Sequence, residues 1–188
     1  MKNRTTINKR EISATLFKNY NGFITYIDTL TPEEYGYAYQ EKWNAGQQLA
    51  HLVLCIKALL YVFKWDKVEI EQKFGLSKKT SRTYETLKRL YRDKLKEGGK
   101  APDRYVPGTT FYEQKTVLTA TLTEMLADLC SRIDTFTEKE LDSLCIPHPV
   151  LGNLSMREML YNTMYHAEHH HGLVHTYLKL GLKNEKNT

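Results

Sequence analysis

Four stretches of this chain repeat apolar side chains every three or four residues, and that period restricts the fold more than any other feature. In TLFKNYNGFITYIDTL, Leu16, Tyr20, Phe23, Ile27 and Leu30 recur at spacings of four, three, four and three, which draws one apolar stripe along a helix. Thr31 then stands as a cap, with Pro32 at the first position of a new turn. NAGQQLAHLVLCIKALLYVFK, from about Asn44 to Lys64, is apolar over much of its circumference and reads as a buried helix. A third stripe runs through Leu118, Leu122, Met125, Leu129, Ile133 and Phe136. The fourth opens on a capping box, Ser155 with Glu158, and is expected to end at Gly181 before the polar tail KNEKNT. Strand-like alternation is nowhere sustained. The expected architecture is all-α, four helices packed as a bundle.

About 45 residues separate the second and third helices, and a connection of that length lets the two run parallel. Tyr84, Leu87, Tyr91 and Leu95 share a face there, so the crossover carries an extra amphipathic helix, followed by the loop EGGKAPDRYVPG. With 188 residues, one domain over 1–188 is expected, with a basic insertion at about 66–110. Residues 73–104 hold eleven Lys and Arg against four acids, so this segment is +7 while the whole chain is +5. A basic excess confined to one connection reads first as a solvated surface; nucleic-acid binding through it is the alternative. No stretch approaches the roughly 20 apolar residues of a membrane span, and the N-terminus lacks the apolar region of a secretory signal. Cys55, Cys130 and Cys145 are odd in number and widely spaced. These features lead to the expectation of a soluble, cytoplasmic protein with reduced thiols.

The histidines carry the chemistry. YHAEHHHGLVHTY, residues 165–177, holds five of the seven in the chain. Three consecutive histidines inside a periodic helix are not a purification tag. At about 100° per residue, His166 and His170 lie about 40° apart, with His169 about 60° to the other side of His166 and His171 and His175 turned away. Met159, Leu173, Tyr177 and Leu180 fall within about 40° of His166, which sets the expected core face. On the second helix His51 shares a face with Asn44, Gln47, Leu54, Cys55, Ala58 and Val62, with the outward-looking Lys57 about 120° off that axis. His51, His166 and His170 are therefore expected to aim at one interior.

A divalent metal satisfies three such imidazoles at once, because bonds of roughly 2.0 to 2.1 Å at tetrahedral angles place ligand nitrogens about 3.3 Å apart. Three histidines leave a position open for water or substrate, the pattern of a reactive site. The competing reading is a set of ordinary buried histidines, each hydrogen-bonded. A zinc-protease HExxH site does not fit, since Ala167 follows the first histidine and Glu168 points about 160° away. Secondary candidates are Gln47 and Gln48, which could orient a ligand, Cys55 as a fourth ligand or reactive thiol, and His169 beside the site. His148, in IPHPVLG, reads as shaping the loop into the fourth helix, and Met125, Met156, Met159 and Met164 read as packing.

WNAGQQLAHLVLC (43–55) followed by HPVLGNLSMREMLYNTMYHAEHHH (148–171) resembles the DinB family of bacterial four-helix-bundle proteins. That family opens its second helix on Trp-x2-Gly/Ser with a hydrophobic residue and His, and carries His-x3-His on its last. The resemblance implies a metal triad on His51, His166 and His170, a long crossover between helices two and three, and frequent pairing as a homodimer. It also implies metal-dependent transferases that use low-molecular-weight thiols, or a thiol-dependent isomerase. His171 stands where the family often has arginine, and Leu173-Val174 where a glutamine is common.

The leading expectation is a metal-dependent transferase or hydrolase. A divalent ion, zinc or nickel first and manganese or iron next, would activate a thiol or water against a small electrophile. The alternative is a non-catalytic binding or stress-response protein, including one that binds nucleic acid through residues 73–104. The third reading is a dimerising bundle with structural histidines.

Overall fold

The computed structural model describes residues 6–185, with side chains to residue 181. Four long helices carry most of it: α1 (Lys9–Asp28), α3 (Ala45–Phe63), α6 (Lys115–Asp134) and α8 (Met156–Glu185). Between them lie α2 (Pro32–Gly36), α4 (Lys67–Phe74), α5 (Tyr84–Lys96), α7 (Glu138–Ser143) and two short strands, β1 (Cys145–His148) and β2 (Gly152–Ser155). The protein is thus mostly helical. Helix α1 packs on α8 and α6, α3 packs on α6 and α8, and α5 lies along α8.

Local chemistry sets the helix starts. Asn8 with Glu11, Thr31 with Glu34, Asn44 with Gln47, Asp66 with Glu69 and Thr137 with Glu140 each form a reciprocal capping box. Each satisfies backbone N–H groups that a helix start leaves orphaned. Ser155 and Glu158 bond reciprocally at the start of α8, as the sequence predicts. All five residues of the first stripe, Leu16, Tyr20, Phe23, Ile27 and Leu30, are buried.

Several sequence expectations are corrected. The insertion contains a second helix, α4, as well as the expected α5, because a single buried anchor, Ile70, leaves almost no stripe to read. Strands β1 and β2 form an antiparallel hairpin, with Cys145 opposite Ser155 and His148 opposite Gly152. Four residues per strand are too few to display alternation, and the turn requires glycine at residue 152, where φ is 73°. Helix α8 does not end at Gly181 but runs to Glu185. That glycine serves close packing, since a Cβ there would overlap the ring of Tyr37. On α6 the fully buried row includes Leu126, while Leu118 and Met125 are only half-buried.

The core face of α8 is displaced from the one expected. Leu160, Ala167, Val174 and Leu178 are buried, whereas Leu173 and Tyr177 are half-exposed and Leu180 is exposed. Ala167 lies about 100° round from His166, so the apolar row faces α1 and the histidine row faces α3 and α5. Hydrophobic residues flank both rows, which is why phase alone mistook one for the other.

Helix α3, with a mean hydropathy of 1.4, does reach the length and apolar composition of a membrane span, contrary to expectation, and half of its apolar window is buried inside the fold. It is the one such helix among the described residues. Gly46 lets its first turn seat against Tyr35 and Thr110, both of which a Cβ would overlap. At the other end of the fold, Arg157, 1% exposed, is bound by Asp142 at 2.6 Å, by Glu138 at 2.6 Å and by the Ile7 carbonyl at 2.8 Å. This tie joins the start of α8 to α7 and to the segment entering α1.

Candidate metal centre

His51 on α3 and His170 on α8 both approach His166, which lies one turn before His170 on α8. Nε2 of His166 lies 3.2 Å from Nε2 of His51 and 2.9 Å from Nε2 of His170. All three residues are buried, at 4%, 8% and 4% exposure. The spacing of four on α8 sets the two imidazoles one turn apart and nearly perpendicular, with ring centroids 4.4 Å from each other.

The far nitrogens fix the tautomers. Nδ1–H of His51 donates to the Tyr105 carbonyl at 2.7 Å, and Nδ1–H of His170 donates to Oε1 of Gln48. With their protons on Nδ1, both rings turn an Nε2 lone pair toward His166. His166 can offer one proton on Nε2 to one of these two lone pairs, and the Cys55 thiol, its Sγ 3.5 Å from Nε2 of His51, can offer one to the other. Lone pairs gathered in this way suit a cation, and the 2.9 and 3.2 Å separations approach the roughly 3.3 Å of a tetrahedral metal site. Burial, and then the neighbouring imidazoles, hold His166 and His170 well below the ordinary 6.5. Burial also lowers His51, against the Tyr105 hydrogen bond. Neutral imidazole is the form that ligates metal.

Cys55, one turn after His51, joins the same cluster. Its Sγ lies 3.5 Å from Nε2 of His51, and His51, Cys55 and His166 place ligand atoms within 4.8 Å of one another, a set that could hold a metal ion. Burial pushes the thiol up to about 12, so alone it carries a proton. The sequence candidates therefore separate. Gln48, 2% exposed, orients His170 and donates to the Trp43 carbonyl at 3.3 Å. Gln47 closes the capping box of α3. His169 is half-buried beside Tyr91 and Tyr165, its ring centroid 5.2 Å from that of His170. His171 stacks on Tyr26, half-buried, and His175 is exposed.

Two cavities reach the cluster. One, of about 270 Å³, is bounded by His51, Cys55 and His166 and otherwise largely by apolar side chains of α3, α5 and the hairpin. The other, of about 240 Å³, is bounded by His51, His169 and His170 with Trp43 and Tyr177. Tyr91 of α5 stands in the walls of both and sets its ring edge-on to His148, His166 and His169. The Tyr105 carbonyl and Tyr91 were not selected from sequence. A backbone carbonyl has no sequence signal; Tyr91 had one in its place on the amphipathic face of α5. His148 shapes the hairpin turn as predicted, its Nδ1 accepting from the backbone N–H of Val150 and Leu151.

A comparison with known families matches residues 17–174 to the DinB superfamily. The chain belongs to that superfamily. Among curated proteins, no relative matches. The DinB match spans α1 to the upper part of α8 and includes His51, Cys55, His166 and His170. The basic connection of this DinB protein is partly neutralised within the fold: Arg82 pairs with Glu158 at 2.7 Å, Lys88 with Glu168 at 3.0 Å and Lys94 with Glu97 at 2.6 Å.

Proposed function

We propose that this protein is a metal-dependent enzyme whose divalent ion is held by His51, His166 and His170, and which transfers a thiol to a small electrophile. The observation that carries the reading is the approach of the His51 and His170 Nε2 atoms to Nε2 of His166, with two far nitrogens already committed to Tyr105 and Gln48. When bound, the ion supplies Lewis-acid charge and lowers the pKa of a coordinated thiol or water. The residues of the chain do the rest. The Tyr105 carbonyl and Gln48 hold two imidazoles in the ligating tautomer, the work that carboxylates or carbonyls perform behind many metal-bound histidines. The buried surroundings keep all three neutral, and the apolar wall of the larger cavity excludes water from the reacting groups. Two cavities meeting at the cluster favour transfer between two molecules over hydrolysis, since a thiol and an electrophile can each occupy one.

His170 is preferred to Cys55 as third ligand because its proton is already placed on the far nitrogen, whereas the Cys55 thiol has to lose one. Cys55 then stands beside the reacting groups. The proposal includes the finer fold reading, one domain in which α1, α3, α6 and α8 form a four-helix bundle with a crossover from α3 to α6, and pairing as a homodimer. Metal analysis of untagged protein tests the function. It is expected to show about one zinc, nickel, manganese or iron per chain, lost in His51→Ala; a chain that neither carries nor takes up such an ion would refute it.

A further inference from the structure

The larger cavity has a charged rim that the proposed chemistry does not use. Lys100 and Arg104 both line it and both are exposed, while no Asp or Glu is among its lining residues. Arg82, Lys88, Lys94 and Lys96 of the same connection are paired with acids. Lys100 and Arg104 have no ion pair among the described residues. Asp103, their nearest acid in the chain, is exposed and does not line the cavity. Arg104 also borders a groove with Glu124 and Asp128 and pairs with neither; Asp128 is taken by Lys64 at 2.7 Å.

The backbone fixes where these two cations stand. Helix α5 ends on a turn in which the N–H of Gly98 donates to the Leu95 carbonyl and that of Gly99 to the Lys94 carbonyl. A Cβ at residue 99 would overlap the Lys94 carbonyl and crowd Val150 of the hairpin turn, so glycine lets the segment lie this close to the hairpin. Beyond Arg104, the Tyr105 carbonyl accepts from His51 at 2.7 Å. Lys100 and Arg104 therefore belong to a segment held against the hairpin at one end and against the candidate metal centre at the other. The Arg104 guanidinium lies 5.0 Å from the ring centroid of Tyr105, itself a lining residue.

We infer that the larger cavity takes a molecule with an apolar body and a carboxylate, the body against Val62, Phe74, Leu95 and Val150 and the carboxylate at Lys100 and Arg104. Those four apolar side chains line the cavity and are only half-buried, so they keep surface for a ligand to cover. A dry cavity of about 150 Å³ takes benzene, so about 270 Å³ has room for an aryl ring with a short chain. A guanidinium meets a carboxylate through two parallel N–H donors, and a lysine adds a point charge. An apolar wall accepts any apolar molecule of suitable size, so the charged rim supplies the selectivity, favouring an anion and rejecting a cation. His51, Cys55 and His166 line the same cavity, which brings the bound molecule to the candidate metal centre. Calling it the electrophilic substrate rests on the metal-enzyme reading above; its recognition by Lys100 and Arg104 does not.

The test titrates 4-phenylbutyrate and 4-phenylbutanamide, which share a body and differ in charge, into metal-depleted and zinc-treated protein. Metal-depleted wild type is expected to favour the acid by about fivefold at low salt, and the preference should shrink toward unity at about 0.5 M salt, because exposed charges are screened. Lys100→Met with Arg104→Met should bring the two ligands within about twofold, whereas Lys100→Arg with Arg104→Lys should keep the preference. Nuclear Overhauser contacts are expected between the phenyl ring and the methyl groups of Val62, Leu95 or Val150. No binding of the acid, equal binding by metal-depleted wild type, a preference that survives loss of both charges, one lost in the charge-conserving pair, one present only with zinc, or a phenyl ring located elsewhere would each overturn the inference. A chain that takes up no metal yet keeps the preference would sink the metal reading alone.

Discussion

Removing the acceptor behind His170 should weaken metal binding without touching a ligand. In Gln48→Leu the side chain keeps its volume but loses Oε1, so Nδ1–H of a fully enclosed imidazole has no acceptor. Leaving such a donor unsatisfied costs about 1–3 kcal/mol, and the lost donation to the Trp43 carbonyl, long at 3.3 Å, adds little. His170 escapes that cost by rotating or by moving its proton to Nε2, and either response removes the lone pair from the cluster. Loss of a partner behind a ligating histidine typically lowers metal affinity about 10- to 100-fold, which corresponds to about 1.4–2.7 kcal/mol. The assay is competition for zinc against a chromophoric chelator, with thermal melting of the metal-free proteins alongside. Gln48→Glu restores an acceptor at the same reach and should hold zinc at least as tightly as wild type. Unchanged affinity in Gln48→Leu, or Gln48→Glu as weak as Gln48→Leu, would refute the reasoning.

Other outcomes follow from the same structure. Cys55→Ala should leave zinc affinity within about threefold while lowering transfer activity, measured by the same competition and by thiol consumption; a loss comparable to that of His166→Ala would make Cys55 a ligand. Burial pushes His148 down to about 4, whereas the unfolded residue titrates near 6.5, so the unfolded chain takes up the proton first and stability falls as pH drops from about 6.5 toward 4. Chemical denaturation across that window should show the stability gap between wild type and His148→Gln narrowing by about 2–3 kcal/mol. Arg157→Leu removes the tie among Asp142, Glu138 and the Ile7 carbonyl and should cost about 2–3 kcal/mol, because the acids left behind are partly solvated. Gly46→Ala should cost about 1–2 kcal/mol by denaturant midpoint, the overlap with the enclosed Tyr35 outweighing a better helix former.

The sequence exposed the long helices because each repeats its apolar residues over many turns, and it exposed His51, His166 and His170 because spacing on a helix fixes direction. What it concealed depended on contacts between distant segments. The tautomer of His51 follows from the carbonyl of residue 105, and that of His170 from Gln48, more than a hundred residues away in the chain; neither has a local pattern. Helix α8 also showed that direction is relative. His166 and His170 were expected to share the core face with Leu173 and Leu180, yet the buried row is Ala167, Val174 and Leu178. His166 and His170 are buried all the same, because α3 and α5 close over the histidine row. Gly181 was expected to stop a helix and instead admits Tyr37, since a glycine near a helix end serves either purpose and only the neighbour decides.

X-ray absorption at the zinc edge of metal-loaded protein addresses the central claim most directly. Three imidazole nitrogens at about 2.0–2.1 Å with one light atom in the remaining position is the predicted shell. A sulfur at about 2.3 Å in place of one imidazole would move Cys55 into the shell and His170 out of it, and a shell without histidine would contradict the account altogether.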